Sequence, residues 1–337
     1  MASIVFPYMD LPENAQKEVL RTMDHKDLFA FSTLSRKSRN QVASLNIPAS
    51  CLKVYVCNRL IIAMSFPGNK HLSLQCNLAK PSLHVLPVDV NYVQISYGSY
   101  TTRRNPGFNF RELIIHLSLI FNYSELSRLS LSSRNEVIKT EEVRDYLSGV
   151  LDYLTISHRN SEEFTQKILR FCLPTSKKLV LHQDTPLLGP IRLRHVTIQS
   201  LDALQLELFS TDLTLDDLLF CNSSVICAIY NPVTQKIINR FFRSWVKGSN
   251  RRLEYICFSL QEDEAADVNT LFKGINYQVI PDTVERRVKK HVFKNMSTIP
   301  EWRINLVAGG FEIRNKSGIS ATVSLNPVDE IHLFVWN

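Results

Sequence analysis

The chain has 337 residues, which is enough to bury a large core in one to three domains. Hydrophobic residues make up 45% and charged residues 21%, a balance typical of a soluble globular protein, and the net charge of +7 permits a polyanionic partner without requiring one. The most apolar run, at 113–121, is too short for a bilayer, which takes about 20 residues, so we expect no membrane partner.

Residues 11–45 have the pattern of three short helices. Pro12 suits a first helical turn, Asp24 is a candidate N-cap with Asp27 in capping-box position, and Ser35 can cap a third helix. So short a unit cannot bury enough surface to be stable alone. It is therefore either the first layer of a larger domain or a module that a partner chain covers.

This stretch also has a specific order of residues. A Leu-Pro pair opens the first helix, an apolar pair follows at 19–20, and an Asp-Leu step and a Leu-Ser step come later. These features resemble the F-box, which docks on the Skp-type adaptor of a cullin–RING ubiquitin ligase. Ser38 stands where many F-boxes carry tryptophan. The resemblance implies that seven residues lie at or beneath the adaptor surface: Leu11, Pro12, Val19, Leu20, Leu28, Leu34 and Ser35.

The residues after the helices are rich in strand signals. Strands are predicted at 51–56, 60–66 and 71–76, with a turn at 67–69, and a further strand at 92–95. Residues 110–123 then have the period of an amphipathic helix.

An LxxLxL pattern recurs from residue 126 at a step of about 25, inside the leucine-rich-repeat range. The copies centre on Leu129, Leu154, Leu179 and Leu204, with looser copies around Val225 and Ile256. The pattern also occurs in any leucine-rich α/β domain, and the asparagine usual after the strand is missing. Helical stretches alternate with the copies, which predicts a parallel sheet with right-handed crossovers. These stretches are 141–150, 161–172, 213–220 and 234–245.

The C-terminal residues predict an antiparallel patch, with a hairpin turn at 315–318 and a last strand at 331–336. The predicted fold class is α/β, or α+β overall. We expect an F-box at 6–50, a strand-rich connection at 51–109, and an α/β domain at 110–337. That domain would be a degenerate leucine-rich-repeat-like curved sheet with helices on one side.

Four strings in the second half are distinctive, at 213–219, 239–250, 273–275 and 309–314. They resemble the F-box-associated type 2 domain of a large nematode family of F-box proteins. The resemblance implies substrate recruitment and carries no catalytic residue. Repeat proteins bind through their concave strand face, so the candidate substrate-binding positions are exposed strand residues: Arg128, Ser130, Tyr153, Thr155, Gln205 and Glu207.

Signatures of catalysis are absent from the sequence, including GxSxG, HExxH and both glycine-rich phosphate motifs. The nine histidines do not pair with His or Cys at metal-ligand spacing, and the seven cysteines form no CxxC. We therefore expect no enzyme activity, no cofactor and no metal, with reduced thiols in the cytoplasm or nucleus.

The leading hypothesis is a substrate-recognition subunit of an SCF-type ligase. Its partners would be a Skp-type adaptor, through it a cullin, and an unknown protein substrate. The alternative is a nucleic-acid-binding module, or an interaction module without degradation, that uses the basic segment 286–294. Val284, Val288 and Val292 repeat every four residues there. This repeat favours a helix with a solvated charged face, so nucleic acid is the weaker alternative.

Overall fold

The structure is a computed structural model in which the chain divides into two compact units, residues 1–150 and 151–337. The predicted domain boundaries at 6–50, 51–109 and 110–337 do not coincide with this division and stay a prediction. The described residues are 8–57, 60–78, 90–95, 101–104, 108, 110–123, 126–132, 151–157, 162–182, 189–207, 213–260, 265–289, 306–326 and 330–336.

The first unit begins with the predicted helices. They are α1 (Glu13–Thr22), α2 (His25–Ser32) and α3 (Arg36–Ala43). Ser35 caps α3, because its side chain accepts a hydrogen bond from the Ser38 amide. Asp24 occupies the N-cap position of α2 but makes no capping hydrogen bond, so the predicted capping box with Asp27 is wrong.

The apolar side of these helices is covered by the same unit. Helix α4 (Phe110–Ile120) packs against α2 and α3. The ring of Phe66 lies 3.9 Å from that of His25 and 4.9 Å from that of Phe121, measured between centroids. The helical module is thus the first layer of a larger body, one of the two alternatives that its size left open.

Strands complete the first unit. The predicted strands at 51–56, 60–66 and 71–76 are confirmed, and a further strand at Arg128–Leu131 pairs in parallel with the first of them. The order of the antiparallel strands follows the chain. The strands are β1 (Cys51–Val56), β2 (Leu60–Phe66), β3 (Lys70–Leu78), β4 (Val90–Ile95), β5 (Thr101–Arg104) and β6 (Arg128–Leu131).

The second unit contains the predicted parallel sheet. The parallel strands are β7 (Leu151–Ile156), β8 (Ser176–Leu181), β9 (Ala203–Leu206), β10 (Val225–Pro232) and β11 (Tyr255–Ser259). The repeat leucines Leu154, Leu179 and Leu204 are register partners, and each is 0% exposed. A parallel sheet is confirmed, whereas its assignment to the leucine-rich repeats stays a prediction.

Helices alternate with these strands along the chain, as predicted. They are α5 (Glu162–Cys172), α6 (Gly189–Thr197), α7 (Leu215–Phe220), α8 (Gln235–Val246) and α9 (Val268–Leu271). Helix α8 buries Phe241, Phe242 and Trp245, and both phenylalanine rings contact Phe258 of β11. The helix predicted at 141–150 lies outside the described residues.

An antiparallel patch follows β11 in the sheet, and its strands lie in the reverse of their order along the chain. The turn predicted at 315–318 is present, with Gly318 at φ 82° and the Asn315 side chain accepting from the Ile319 amide. The strands are β12 (Tyr277–Arg287), β13 (Leu306–Arg314), β14 (Ser320–Asn326) and β15 (Glu330–Trp336).

The helix predicted around 284–292 is wrong for the residues that the structure describes. Residues up to Arg287 belong to β12, where Arg286 is the register partner of Val307. A spacing of four fits a helix face, but it also fits one face of a strand, which has a period of two. Hydrogen bonding to β13 decides between the two structures, and a sequence period cannot show that pairing.

Candidate functional site

Two short segments of the first unit expose apolar side chains. We define the docking surface as Met9, Leu11, Pro12, Leu34 and Ser35. Met9 is 51% and Leu34 71% exposed, Pro12 and Ser35 are exposed, and Leu11 is half-buried. Large apolar side chains exposed together are typical of a surface that contacts another protein.

Two contacts outside the docking surface hold these segments in place. The Tyr8 ring packs edge-on against Phe31 with 5.3 Å between centroids, which fixes the N-terminal segment beside the end of α2. The buried Gln16 amide donates to the Leu11 carbonyl at 2.8 Å and to the Met9 carbonyl at 3.3 Å. The sequence reasoning did not find Gln16, since a polar residue within a helix gives no sign of burial.

The predicted adaptor-binding residues separate into two sets. Leu20 and Leu28 are 0% and 1% exposed, so they support the surface from beneath. Val19 is half-buried. The others belong to the docking surface, and the resemblance had placed all seven at or beneath the contact. Their role in binding stays a proposal.

Position 38 faces inward. Ser38 is 1% exposed, its amide donates to Ser35 Oγ at 3.0 Å, and the two hydroxyl oxygens are 2.8 Å apart. The serine that replaces a tryptophan therefore belongs to the cap of α3. Its small polar side chain suits that place, whereas a tryptophan would have to displace the cap.

A buried histidine joins the N-terminal helices to α4. The Ser32 hydroxyl donates to the Phe29 carbonyl at 2.6 Å, so its oxygen accepts from His116 Nε2 at 2.7 Å. Nδ1 of His116 has no hydrogen-bond partner among the described residues. Burial, and then the positive charge of Arg39, lower the pKa of His116 to about 4. The ring is therefore neutral at pH 7.

The predicted substrate-binding positions differ in exposure. Arg128, Ser130 and Thr155 are partly exposed. The prediction that the other three strand positions are exposed is wrong, because the exposed fractions are 4% for Tyr153, 2% for Gln205 and 4% for Glu207.

Side-chain pairing explains this burial. Gln205 Nε2 donates to a carboxylate oxygen of Glu207, and the other oxygen contacts His182 Nδ1. The Lys178 ammonium lies 5.2 Å from the centroid of the Tyr153 ring. Alternation along a strand tells which residues share a face, but not whether that face is covered.

Distant strands bring thiol, imidazole and carboxylate groups together in the second unit. Tyr255 Oη lies 2.8 Å from His332 Nδ1, and His332 Nε2 lies 3.4 Å from Glu330 Oε2. The ligand atoms of Cys257, Glu330 and His332 are all within 4.8 Å of one another. The expectation of no metal ligand set rested on spacing along the chain, which cannot detect a set that sheet register assembles.

Charge is stabilised within this cluster. A hydrogen bond from the Cys227 thiol, followed by the contact with His332, lowers the pKa of Cys257 to about 6 despite burial. Burial alone would lower the pKa of His332, but hydrogen bonds to Cys257 and Glu330 outweigh it and raise the pKa to about 9. Burial raises the pKa of Cys227.

The basic segment is partly engaged within the fold. Arg286 Nη2 donates to Glu312 Oε2 at 2.7 Å, and the guanidinium lies 5.5 Å from the Trp336 ring centroid. Arg287 and Lys289 are exposed, while Lys290, His291 and Lys294 lie outside the described residues. Arg286 therefore already has a carboxylate partner within the fold, and the nucleic-acid alternative stays a prediction.

Within the described part of the chain, no helix has both the length and the apolar character needed to cross a membrane.

Comparison with known proteins fits this geometry. Residues 9–49 match the F-box domain family, and residues 192–258 match a family described as F-box associated. The F-box associated domain-containing protein sdz-33 of Caenorhabditis elegans is 27% identical over 282 residues, which cover 82% of this chain and 87% of that protein. No solved structure matches the chain.

The helical module with its exposed apolar surface and these matches together define an F-box protein with an F-box-associated domain. More narrowly, the matches agree with the resemblance of the sequence to nematode F-box proteins whose associated domain is of type 2.

Proposed function

We propose that this F-box protein is a substrate-recognition subunit of an SCF-type cullin–RING ubiquitin ligase. The docking surface would bind a Skp-type adaptor, and through it a cullin, while the F-box-associated domain recruits a protein substrate. The observation that carries the proposal is the 71% exposure of Leu34 within the segment that matches the F-box. F-box domains generally bind Skp-type adaptors, and an apolar anchor suits such an interface.

The role requires no catalytic side chain in this chain. Holding a substrate near the ligase makes ubiquitin transfer effectively intramolecular, so binding alone raises the rate. Proteins of this family are typically adaptors without enzyme activity. Arg128, Ser130 and Thr155 remain candidate substrate contacts because they are partly exposed. The proposed role places the protein in the cytoplasm or nucleus.

A matched pair of substitutions tests the docking surface. The full chain is co-expressed with a Skp-type adaptor, and adaptor retention is measured for Leu34→Glu and for Leu119→Glu. Leu119 is 48% exposed on α4, outside the F-box match, so both changes add the same charge to an exposed leucine. We expect Leu34→Glu to weaken adaptor binding at least about 10-fold, as for an interface anchor, and Leu119→Glu to leave it unchanged.

The double change Leu11→Ala and Pro12→Ala should have the same effect as Leu34→Glu. If either variant keeps its helical circular dichroism and still retains the adaptor, the docking assignment is wrong. Mass spectrometry then identifies the proteins that co-purify with the wild-type chain and with Leu34→Glu. Proteins lost with the adaptor are ligase components, and proteins that remain bound are substrate candidates.

A further inference from the structure

Sheet register assembles a row of metal-binding side chains in the second unit. Cys227 is the register partner of Cys257, and Cys257 is the register partner of His332. Directly paired residues of neighbouring strands point to the same face, so two thiols and an imidazole lie side by side across β10, β11 and β15. Glu330 lies two positions before His332 on β15 and therefore extends from the same face.

We propose that Cys257, His332 and Glu330 bind a zinc ion, with the thiol of Cys227 as the fourth ligand. Thiolate, imidazole and carboxylate are the ligands that zinc takes in tetrahedral sites. Soft thiolates select zinc over magnesium or calcium, which prefer sites made of oxygen atoms. The two cysteines and the histidine are buried, as in closed structural zinc sites.

The spacing of the three ligand groups is close to what zinc requires. Bonds of about 2.0–2.3 Å in a tetrahedron place the ligand atoms about 3.3–3.8 Å apart. The three ligand atoms already lie within 4.8 Å of one another. Side-chain rotations that shorten these distances by about 1 Å would complete the coordination, since the bond lengths fix the target spacing.

The surrounding groups fit the same role. Tyr255 is 0% exposed, and its hydroxyl oxygen lies 2.8 Å from His332 Nδ1. With Nδ1 bonded to Tyr255, the ring directs Nε2 towards Glu330, and such outer hydrogen bonds are usual for zinc-binding histidines. The side chain of Glu330 is 22% exposed, which gives the ion a path from solvent.

The site lies where the strand pairing of the sheet changes from parallel to antiparallel. β11 pairs with β10 in parallel and with β15 in antiparallel orientation. An ion bound by residues of all three strands would tie the C-terminal strand to the parallel sheet. The zinc would therefore be structural, and its binding energy would add to the stability of the second unit.

Metal analysis of the purified full chain tests the proposal. After reconstitution with zinc and removal of excess metal, we expect about one zinc per wild-type chain, as for a closed site. Cys257→Ser and His332→Gln should lower the content at least about 10-fold. Matched controls are Cys172→Ser and His182→Gln, which change a buried cysteine and a histidine outside the cluster. These controls should retain the metal.

A second measurement needs no variant and so does not depend on whether a substituted chain folds. Cobalt(II) replaces zinc in the wild-type chain, and a thiolate-to-cobalt charge-transfer band in the near ultraviolet is expected. Tyr255→Phe should weaken cobalt affinity about 10-fold, the effect typical of losing an outer hydrogen bond. A wild-type chain without bound zinc, cobalt binding without that band, or zinc retained by Cys257→Ser would each overturn the proposal.

Discussion

The docking surface of the first unit exposes apolar side chains, whereas one sheet face of the second unit buries polar ones. We call this face, which carries Gln205, Cys257 and His332, the strand face. On the docking surface Leu34 is 71% exposed, although it is apolar. On the strand face Gln205 and His332 are 2% and 6% exposed, although they are polar. An exposed leucine contributes little to its own fold and is available to a partner, whereas a buried polar group must be paired internally. Substitutions should therefore affect binding at the first region and folding at the second.

The largest expected effect is on the strand face. Phe334 is 3% exposed and stacks between the rings of Tyr255 and Trp336, so Phe334→Ala should lower the free energy of unfolding by about 3–5 kcal/mol. Urea denaturation followed by tryptophan fluorescence measures this loss. The chain's three tryptophans all fall within residues 151–337, so the signal reports on the second unit.

Phe220→Ala is the matched control, because it removes the same side chain from the same unit. Phe220 is 52% exposed and makes a contact with the guanidinium of Arg194. We expect a loss below about 1 kcal/mol, as for an exposed cation–π contact. Equal losses in the two variants would show that burial does not distinguish the strand face from the exposed surface.

A smaller effect, confined to acid pH, is expected in the first unit. The pKa of His116 falls from about 6.5 in the unfolded chain to about 4 in the fold. The unfolded state therefore binds the proton more tightly, and the stability that neutral His116 contributes above pH 6.5 is lost as pH falls towards 4. We expect a loss of about 3 kcal/mol by pH 4, since the pKa difference is about 2.5 units and one unit corresponds to about 1.4 kcal/mol.

His116→Gln isolates this contribution, because glutamine can still bond to Ser32 and cannot be protonated. Amide hydrogen exchange of peptides from α4 is compared for the two chains at the same pH, so that the intrinsic exchange rate cancels. The variant should lose less protection than the wild type between pH 7 and pH 4.5. Identical pH profiles would show that His116 does not carry the acid sensitivity of this unit.

The two regions also differ in how far the sequence predicts them. The F-box helices and the cap at Ser35 depend on neighbours within a few residues, so propensity and motif order were sufficient. The parallel strands were predicted because the leucine period recurs along the chain. The cluster at Cys257 and His332 depends on register between distant strands, and β12 forms because β13 pairs with it. Neither pairing leaves a local pattern, so the sequence could not show them.

The smallest predicted effect concerns the N-cap of α3, which Ser35 of the docking surface forms. Ser35→Ala removes the acceptor for the Ser38 amide and should reduce the stability of α3 by about 1 kcal/mol, the usual contribution of an N-cap. Hydrogen exchange of peptides covering Arg36–Ala43 measures this opening. Ser35→Asp keeps an acceptor at the N-cap and should restore most of the protection, because aspartate is as good a cap as serine.

Ser44→Ala is the control for Ser35→Ala, since Ser44 lies at the other end of α3 and its hydroxyl donates to the Gln41 carbonyl. It should change the protection of α3 by less than about 0.5 kcal/mol, as most surface substitutions do. If adaptor binding falls for Ser35→Ala and recovers for Ser35→Asp, the cap acts by ordering α3 beside Leu34. Loss of binding in both variants would instead show that the Ser35 hydroxyl itself contacts the adaptor. The two substitutions therefore distinguish a role of Ser35 in folding from a role in docking.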